Sequence, residues 1–210
     1  LGADIAYEGE AGFPPLRIKG RRLEGGYLEI SGSISSQFIS ALLLIGPMLE
    51  KGLKLKMTDT IISRPYIDLT LCMMRDFGAA VEWTDVDTIS VAPKPYTSRR
   101  YYIESDWSAG SYWYEIMALS DDSEATVRLE GLMDGSRQGD SVVKYIFSLL
   151  GVKTSFETTD PCVPNTVTLR RHKCLLPRLE YDFTGSPDLA QTLVVCCALM
   201  DIKFHFKGLA

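Results

Sequence analysis

The feature that most constrains this 210-residue sequence is that it repeats itself. The phrase FGAAVEW begins at Phe77 and LGVKTSF begins at Leu150; both end an apolar segment with glycine and then alternate. Gly78 and Gly151 lie 73 residues apart, and the same offset carries Ser63-Arg64 onto Ser136-Arg137. Ser33 falls on Asp106, and Ser36 falls on Ala109. A third version, LGADIAY, opens the chain. A repeat of this length is a supersecondary unit stacked against its neighbours.

Each copy has the same reading. In the first, YLEIS (27–31) reads as a strand, and Phe38, Ala41, Leu42, Ile45 and Leu49 follow helical spacing. Leu53, Leu55 and Met57 alternate with lysines, which is strand patterning. Ile67, Leu71 and Met74 mark a second helix that Gly78 ends, and VEW and TISVAP flank Asp85-Val86-Asp87 as a hairpin. The unit is βαβαββ. The second copy runs from Tyr101 to Arg171, with Tyr112, Ile116 and Leu119 marking its first helix and Val143, Ile146, Phe147 and Leu150 its second. The third begins at Leu179; Pro187 suits a first helical position, and Leu189, Leu193, Cys196 and Met200 form the stripe of its helix. The expected fold class is therefore α/β (α+β), with about two and a half repeated units. The chain begins at the end of one unit's helix and stops inside another, which predicts a piece of a larger protein. Ala92–Tyr102, with two prolines and a basic pair, is the expected hinge.

Composition narrows the chemistry. The 46% hydrophobic and 23% charged content is that of a soluble globular protein, and the net charge of -5 supplies no global basic field for nucleic acid or an anionic membrane. No apolar run is long enough to span a bilayer, and no basic, apolar leader is evident. The five cysteines lack metal-finger spacing and there are only two histidines, so no metal site is expected and the thiols read as reduced.

Four polar clusters could carry function. Ser35-Ser36-Gln37 stands at the mouth of an apolar helix: one serine suffices for a cap, and the remaining donors suit either a generous cap or a phosphate at the positive end of the helix dipole. ISRPYID places Ser63, Arg64 and Tyr66 around a second helix start, with Pro65 in its first turn. Arg17 follows Pro14-Pro15-Leu16, which are expected to hold the backbone extended, and a rigid arginine suits a carboxylate or phosphate. Asp188, in SPDLAQT, is favoured by the dipole at a helix start, and the same dipole makes it a weak base unless a substrate hydroxyl sits against it. In the second copy Ser108 takes the place of Ser35, which predicts that one hydroxyl starts that helix.

These residues, as GSISSQFISALLL, SRPYIDLTLCMMRDFG, PPLRIKG, SRQGD and SPDLAQT, resemble the EPSP synthase family of enolpyruvyl transferases over essentially the whole chain. The resemblance implies two domains, each of three βαβαββ units around buried helices, with an active site between them. Residues 1–103 would be the later part of one domain and 104–210 the first part of the other. It implies transfer of the enolpyruvyl group of phosphoenolpyruvate to the 5-hydroxyl of shikimate 3-phosphate, with release of phosphate, in aromatic amino acid (chorismate) biosynthesis. No metal or organic cofactor is implied, and the parent would be a monomeric cytoplasmic enzyme. Residue by residue, it implies that Ser35, Ser36, Gln37, Ser63, Tyr66 and Asp188 bind shikimate 3-phosphate. Arg17 and Gln37 would bind phosphoenolpyruvate, and Asp188 would serve in proton transfer. The family's amino-terminal Lys-Ser…Arg segment and later lysine and arginine motifs are missing, so the 210-residue chain alone is expected to be inactive. The competing expectations are a UDP-N-acetylglucosamine 1-carboxyvinyltransferase parent and a non-catalytic module of the same fold.

Overall fold

The computed structural model describes residues 1–161 and 163–209; Cys162 lies outside the described residues. The chain forms two units, Leu1–Arg100 and Tyr101–Ala210, each with its own apolar core. The division falls inside the Ala92–Tyr102 stretch.

The first unit opens with a hairpin of β1 (Asp4–Tyr7) and β2 (Leu16–Lys19), in which Ile5 faces Ile18 and Tyr7 faces Leu16. All eight residues are exposed. The Pro14–Pro15 peptide is cis, where the sequence predicts an extended run. The complete repeat follows: β3 (Gly26–Ser31), α1 (Ser36–Ile45), β4 (Leu53–Thr58), α2 (Arg64–Asp76), β5 (Val81–Asp85) and β6 (Thr88–Val91). The sheet order is β3-β4-β6-β5, with β3 parallel to β4 and the other pairs antiparallel. Leu53, Leu55 and Met57 alternate inward from β4 onto Ile39, Leu43, Ile67, Leu71 and Met74 of the two helices. Each such fully buried side chain contributes about 1.5–3 kcal/mol. Gly78 ends α2 at φ +86°, and its repeat copy Gly151 sits at φ +99°, a conformation in which any Cβ is strained.

The inward face of α1 differs from the expected one. Ile39 and Leu43 are buried, whereas Phe38 is 64% and Ile45 40% exposed. The segment is apolar all round, so its hydrophobicity cannot identify the buried face.

The second unit contains α3 (Trp107–Leu119), β7 (Thr126–Leu132), a 3₁₀ turn at Gly139–Val142, α4 (Val143–Leu150), β8 (Val152–Phe156) and β9 (Asn165–Arg171). After these come β10 (Arg178–Asp182), two 3₁₀ turns, α5 (Ala190–Leu199) and β11 (Lys203–Lys207), with β10 and β11 parallel. The buried face of α3 is Trp107, Gly110, Ser111, Tyr114, Met117 and Ala118; Tyr112 and Ile116, expected inside, are exposed. Polar residues (Ser111, Tyr114) inside and aromatic ones outside reversed the reading. Ser111 meets Thr192 of α5 at 2.9 Å between hydroxyls, and Tyr114 meets Thr154 of β8 at 2.9 Å, so both polar groups are satisfied. Pro187 begins a 3₁₀ turn rather than α5 itself, and Met200 is only half-buried.

The first strand of the second copy is not formed. Its sheet is β7-β9-β8, and residues 101–105 make no ladder. The copy is thus αβαββ among the described residues. One bond survives in register: Ser105 N–H donates to the Gly131 carbonyl at 2.9 Å, as Gly32 N–H donates to the Thr58 carbonyl at 2.6 Å, 73 residues earlier.

Candidate functional site

Parallel pairing of β3 with β4 sets Ser31 opposite Thr58, so the carboxyl ends of both strands lie side by side. The loops that leave these ends start α1 and α2. Five of the expected site residues are thereby gathered at one end of one sheet: Ser35, Ser36 and Gln37 on the first loop and helix start, Ser63 and Tyr66 on the second. The loops are tied together, since Ile62 N–H donates to the Gly32 carbonyl at 3.1 Å. Gly32 permits this approach: a Cβ there would stand 3.0 Å from both the Thr58 carbonyl oxygen and Ile61 Cγ1. Deeper in, Ser40 and Thr70 join the helices through their hydroxyls at 2.9 Å.

The serines divide by role. Ser35 is the N-cap of α1, its Oγ accepting from Gln37 N–H at 3.3 Å. Its own O–H proton is not used in that bond. Ser33 is taken up internally, its Oγ 2.7 Å from Ser31 Oγ. Ser31 Oγ in turn donates to Asp59 Oδ2 at 2.9 Å. Ser36 Oγ and the Gln37 amide have no hydrogen-bond partner among the described residues. Ser63 precedes α2 with a left-handed backbone, φ 52°, and its hydroxyl makes no cap bond. Neither α1 nor α2 has an acidic residue in its first turn, so both positive dipole ends remain uncompensated. Three hydroxyls and an amide at two such ends form a neutral donor set for an oxyanion.

Arg64 contributes no charge to this set. Its guanidinium lies 4.0 Å from the centre of the Trp83 ring and donates to the Val86 carbonyl at 3.1 Å, which commits it to the β5–β6 hairpin. Arg17 stands apart on β2, exposed, with Nε donating to Glu8 Oε1 at 2.7 Å. An exposed pair of this kind is worth about 0–1 kcal/mol, so a ligand anion can displace it. Asp188 belongs to the second unit, in the 3₁₀ turn that leads into α5, and is exposed.

In the second copy the corresponding positions are filled by the protein's own carboxylates. The N-cap of α3 is Asp106, which accepts from Ser108 N–H at 2.8 Å; the cap expected from Ser108 is not made, and that hydroxyl donates to Asp140 instead. Glu104 accepts from Ser136 Oγ at 2.8 Å and Met133 N–H at 2.9 Å. Buried Lys144 donates to the Asp134 carbonyl and carboxylate, both at 2.6 Å. The repeat thus carries two versions of one corner, one with unspent donors and one closed on itself. Sequence reasoning missed Asp59 and Ser31; an aspartate following a strand, at a turn that needs φ > 0, is the local signal. Among the described residues no three His, Cys, Asp or Glu side chains are grouped to hold a metal ion, and no helix is long and apolar enough to cross a membrane. The four described cysteines, Cys72, Cys174, Cys196 and Cys197, are free thiols.

The fold that brings these loops together is shared with solved enolpyruvyl transferases. The crystal structure of the enolpyruvyl transferase NikO from Streptomyces tendae superposes on 97% of the chain with a TM-score of 0.61 at 14% identity, covering 48% of that protein. The EPSP synthase of Acinetobacter baumannii matches 81% of the chain with a TM-score of 0.57 at 24% identity, covering 37% of that protein. These likenesses establish the fold. The family model described as EPSP synthase (3-phosphoshikimate 1-carboxyvinyltransferase) matches residues 1–210, and the chain belongs to that family. The 3-phosphoshikimate 1-carboxyvinyltransferase of Bacteroides fragilis is 49% identical over 209 residues, which is 100% of this chain and 49% of that enzyme. The chain therefore spans about half the length of the curated relatives it matches.

Proposed function

We propose that this chain is part of an enzyme that moves the enolpyruvyl group of phosphoenolpyruvate onto the 5-hydroxyl of shikimate 3-phosphate. The observation that carries the reading is the donor set at the joined ends of β3 and β4: Ser36 Oγ and the Gln37 amide without partners among the described residues, and Ser63 Oγ without a capping bond. The 3-phosphate takes hydrogen bonds from Ser35, Ser36 and Ser63 at the two helix starts, with Tyr66 bordering the ring. Such charge-assisted bonds each contribute about 1.5–3 kcal/mol. Gln37 reaches both substrates, and Arg17 exchanges Glu8 for the anionic groups of phosphoenolpyruvate.

Asp188 holds the ring hydroxyls and takes the proton of the 5-hydroxyl. In the addition step the O–H bond breaks, the oxygen bonds to C2 of phosphoenolpyruvate, and C3 gains a proton. In the elimination a proton leaves C3 and the C2–O bond to phosphate breaks. Residues 1–103 form the later part of one domain and 104–210 the first part of the other, within a monomeric cytoplasmic parent. By itself the chain, which spans about half the length of its curated relatives, turns over neither substrate on this reading.

The test is phosphate release by the full-length protein that carries this segment. Shikimate 3-phosphate with phosphoenolpyruvate should give turnover, UDP-N-acetylglucosamine should not replace the former, and Asp188→Ala should lower kcat at least a hundredfold. Turnover with the UDP-sugar alone, or an Asp188→Ala enzyme of unchanged rate, overturns the reading.

A further inference from the structure

The site's two loops share one anchor that lies outside the donor set. Asp59 follows β4 and has φ 62°, in the left-handed region that side chains other than glycine and asparagine or aspartate seldom enter. Ser63 occupies the same region four positions later, so the loop between β4 and α2 is bent twice against its steric preference. One carboxylate oxygen holds the first bend. Asp59 Oδ2 accepts from Thr58 Oγ1 at 3.2 Å, at the end of β4, and from Ser31 Oγ at 2.9 Å, at the end of β3. Ser31 Oγ, having donated its proton to Asp59, is the acceptor for Ser33 Oγ at 2.7 Å and for Ser33 N–H at 3.2 Å. The chain of bonds runs Ser33 to Ser31 to Asp59. It joins the loop that presents Ser35, Ser36 and Gln37 to the loop that presents Ser63.

We infer that Asp59 is a positioning residue for substrate binding: its carboxylate fixes the relative placement of the two loops whose serines take the 3-phosphate. This rests on the proposed reading of the site. The backbone bonds between Gly32 and the second loop bring the loops together. The Asp59 carboxylate sets the turn that aims Ser63. A displacement of about 1 Å in such a set costs up to about a hundredfold in the step it serves. Asp59 is itself turned into its hydroxyl partners and need not touch the substrate.

The experiment compares Asp59→Asn, Asp59→Gly and Asp59→Ala in the full-length protein that carries this segment, with Ser36→Ala and Ser63→Ala beside them. Asparagine keeps an acceptor oxygen and tolerates φ > 0, so KM for shikimate 3-phosphate should stay within about twofold. Glycine relaxes the backbone but removes the acceptor. Both Asp59→Gly and Asp59→Ala should raise that KM about tenfold or more, with kcat changed far less, as expected for lost substrate binding. Asp59→Gly keeps the test meaningful if Asp59→Ala folds poorly. Should Asp59→Gly bind shikimate 3-phosphate as well as the parent does, the positioning role is wrong, whatever happens to the thermal midpoint. Asp59→Asn behaving like Asp59→Ala also overturns it. If Ser36→Ala and Ser63→Ala leave KM unchanged, the reading of the site itself fails and takes this inference with it. If the serine variants weaken binding while Asp59→Gly does not, only this inference fails.

Discussion

Adjacent serines at the start of α1 should separate cleanly into a structural and a recognition residue. Ser35 Oγ accepts the Gln37 N–H, one of the orphan donors of the helix start. Replacing such a cap by alanine costs about 1 kcal/mol, which lowers the thermal midpoint by about 2–4 °C in a cooperative unit of 150–250 residues. Ser36 Oγ spends nothing on the fold, so Ser36→Ala should change stability by less than about 0.5 kcal/mol. Its loss should appear instead in binding. One hydrogen bond to a charged phosphate is worth about 1.5–3 kcal/mol, or about 10- to 150-fold in affinity. Differential scanning fluorimetry of the full-length variants gives the first quantity, and KM for shikimate 3-phosphate at saturating phosphoenolpyruvate gives the second. Ser35→Ala should move both readouts, and Ser36→Ala the second alone. A Ser36→Ala protein that loses 4 °C yet binds normally would refute the division of labour argued from the hydrogen bonds.

Three further outcomes follow from other parts of the molecule. Ser63→Gly should raise stability by up to about 1 kcal/mol, because glycine sits at φ 52° without strain, while weakening phosphoshikimate binding about tenfold; a variant that is less stable and binds normally contradicts this. Lys144→Met should destabilise the second unit by about 1–3 kcal/mol in urea unfolding, since the Asp134 carbonyl and carboxylate both lose their bond from a lysine that is only 6% exposed; an unchanged midpoint would show the bonds to be idle. Burial pushes the Cys196 thiol from its ordinary 9.0 up to about 12 and Cys197 up to about 11. The folded state therefore keeps protons that the unfolded state releases. Their contribution is fully present below pH 9.0 and is lost as pH rises toward 12. A disulfide-exchange reagent at pH 8 should label neither thiol until urea is added; labelling of the folded protein refutes that placement.

Much of the fold was legible because it is written in alternation and punctuation. Leu53, Leu55 and Met57 could belong only to a half-buried strand, and Gly78 and Gly151 stop their helices at one phase of the repeat. Faces were legible only where polarity broke the symmetry. In α2 the charged residues left Ile67, Leu71 and Met74 as the one apolar stripe. In α1 and α3 apolar and aromatic side chains surround the helix, and the inward set is chosen by which neighbours exist, information that lies outside the segment. The site shows the same split. That serines gather before α1 is a sequence fact, but which hydroxyl is spent on a cap, which on Asp59 and which on nothing depends on contacts such as the side-chain bond that spans 28 residues from Ser31 to Asp59. The absent first strand of the second copy was not legible, since YYIES alternates as well as YLEIS does; pairing with β7, and not pattern, decides it.

That missing ladder separates the two copies in time as well as in shape. In the first unit β4 is clasped on both sides, by β3 and β6, whereas its copy β7 has β9 alone beside it among the described residues. Every second amide of β7 points away from β9 and has no strand to pair with among the described residues, while β9 has a strand on either side. In heavy water those outward amides should take up deuterium long before their counterparts in β4. Two segments descended from one plan would then record different opening rates, with the faster one marking where the repeat has come unzipped.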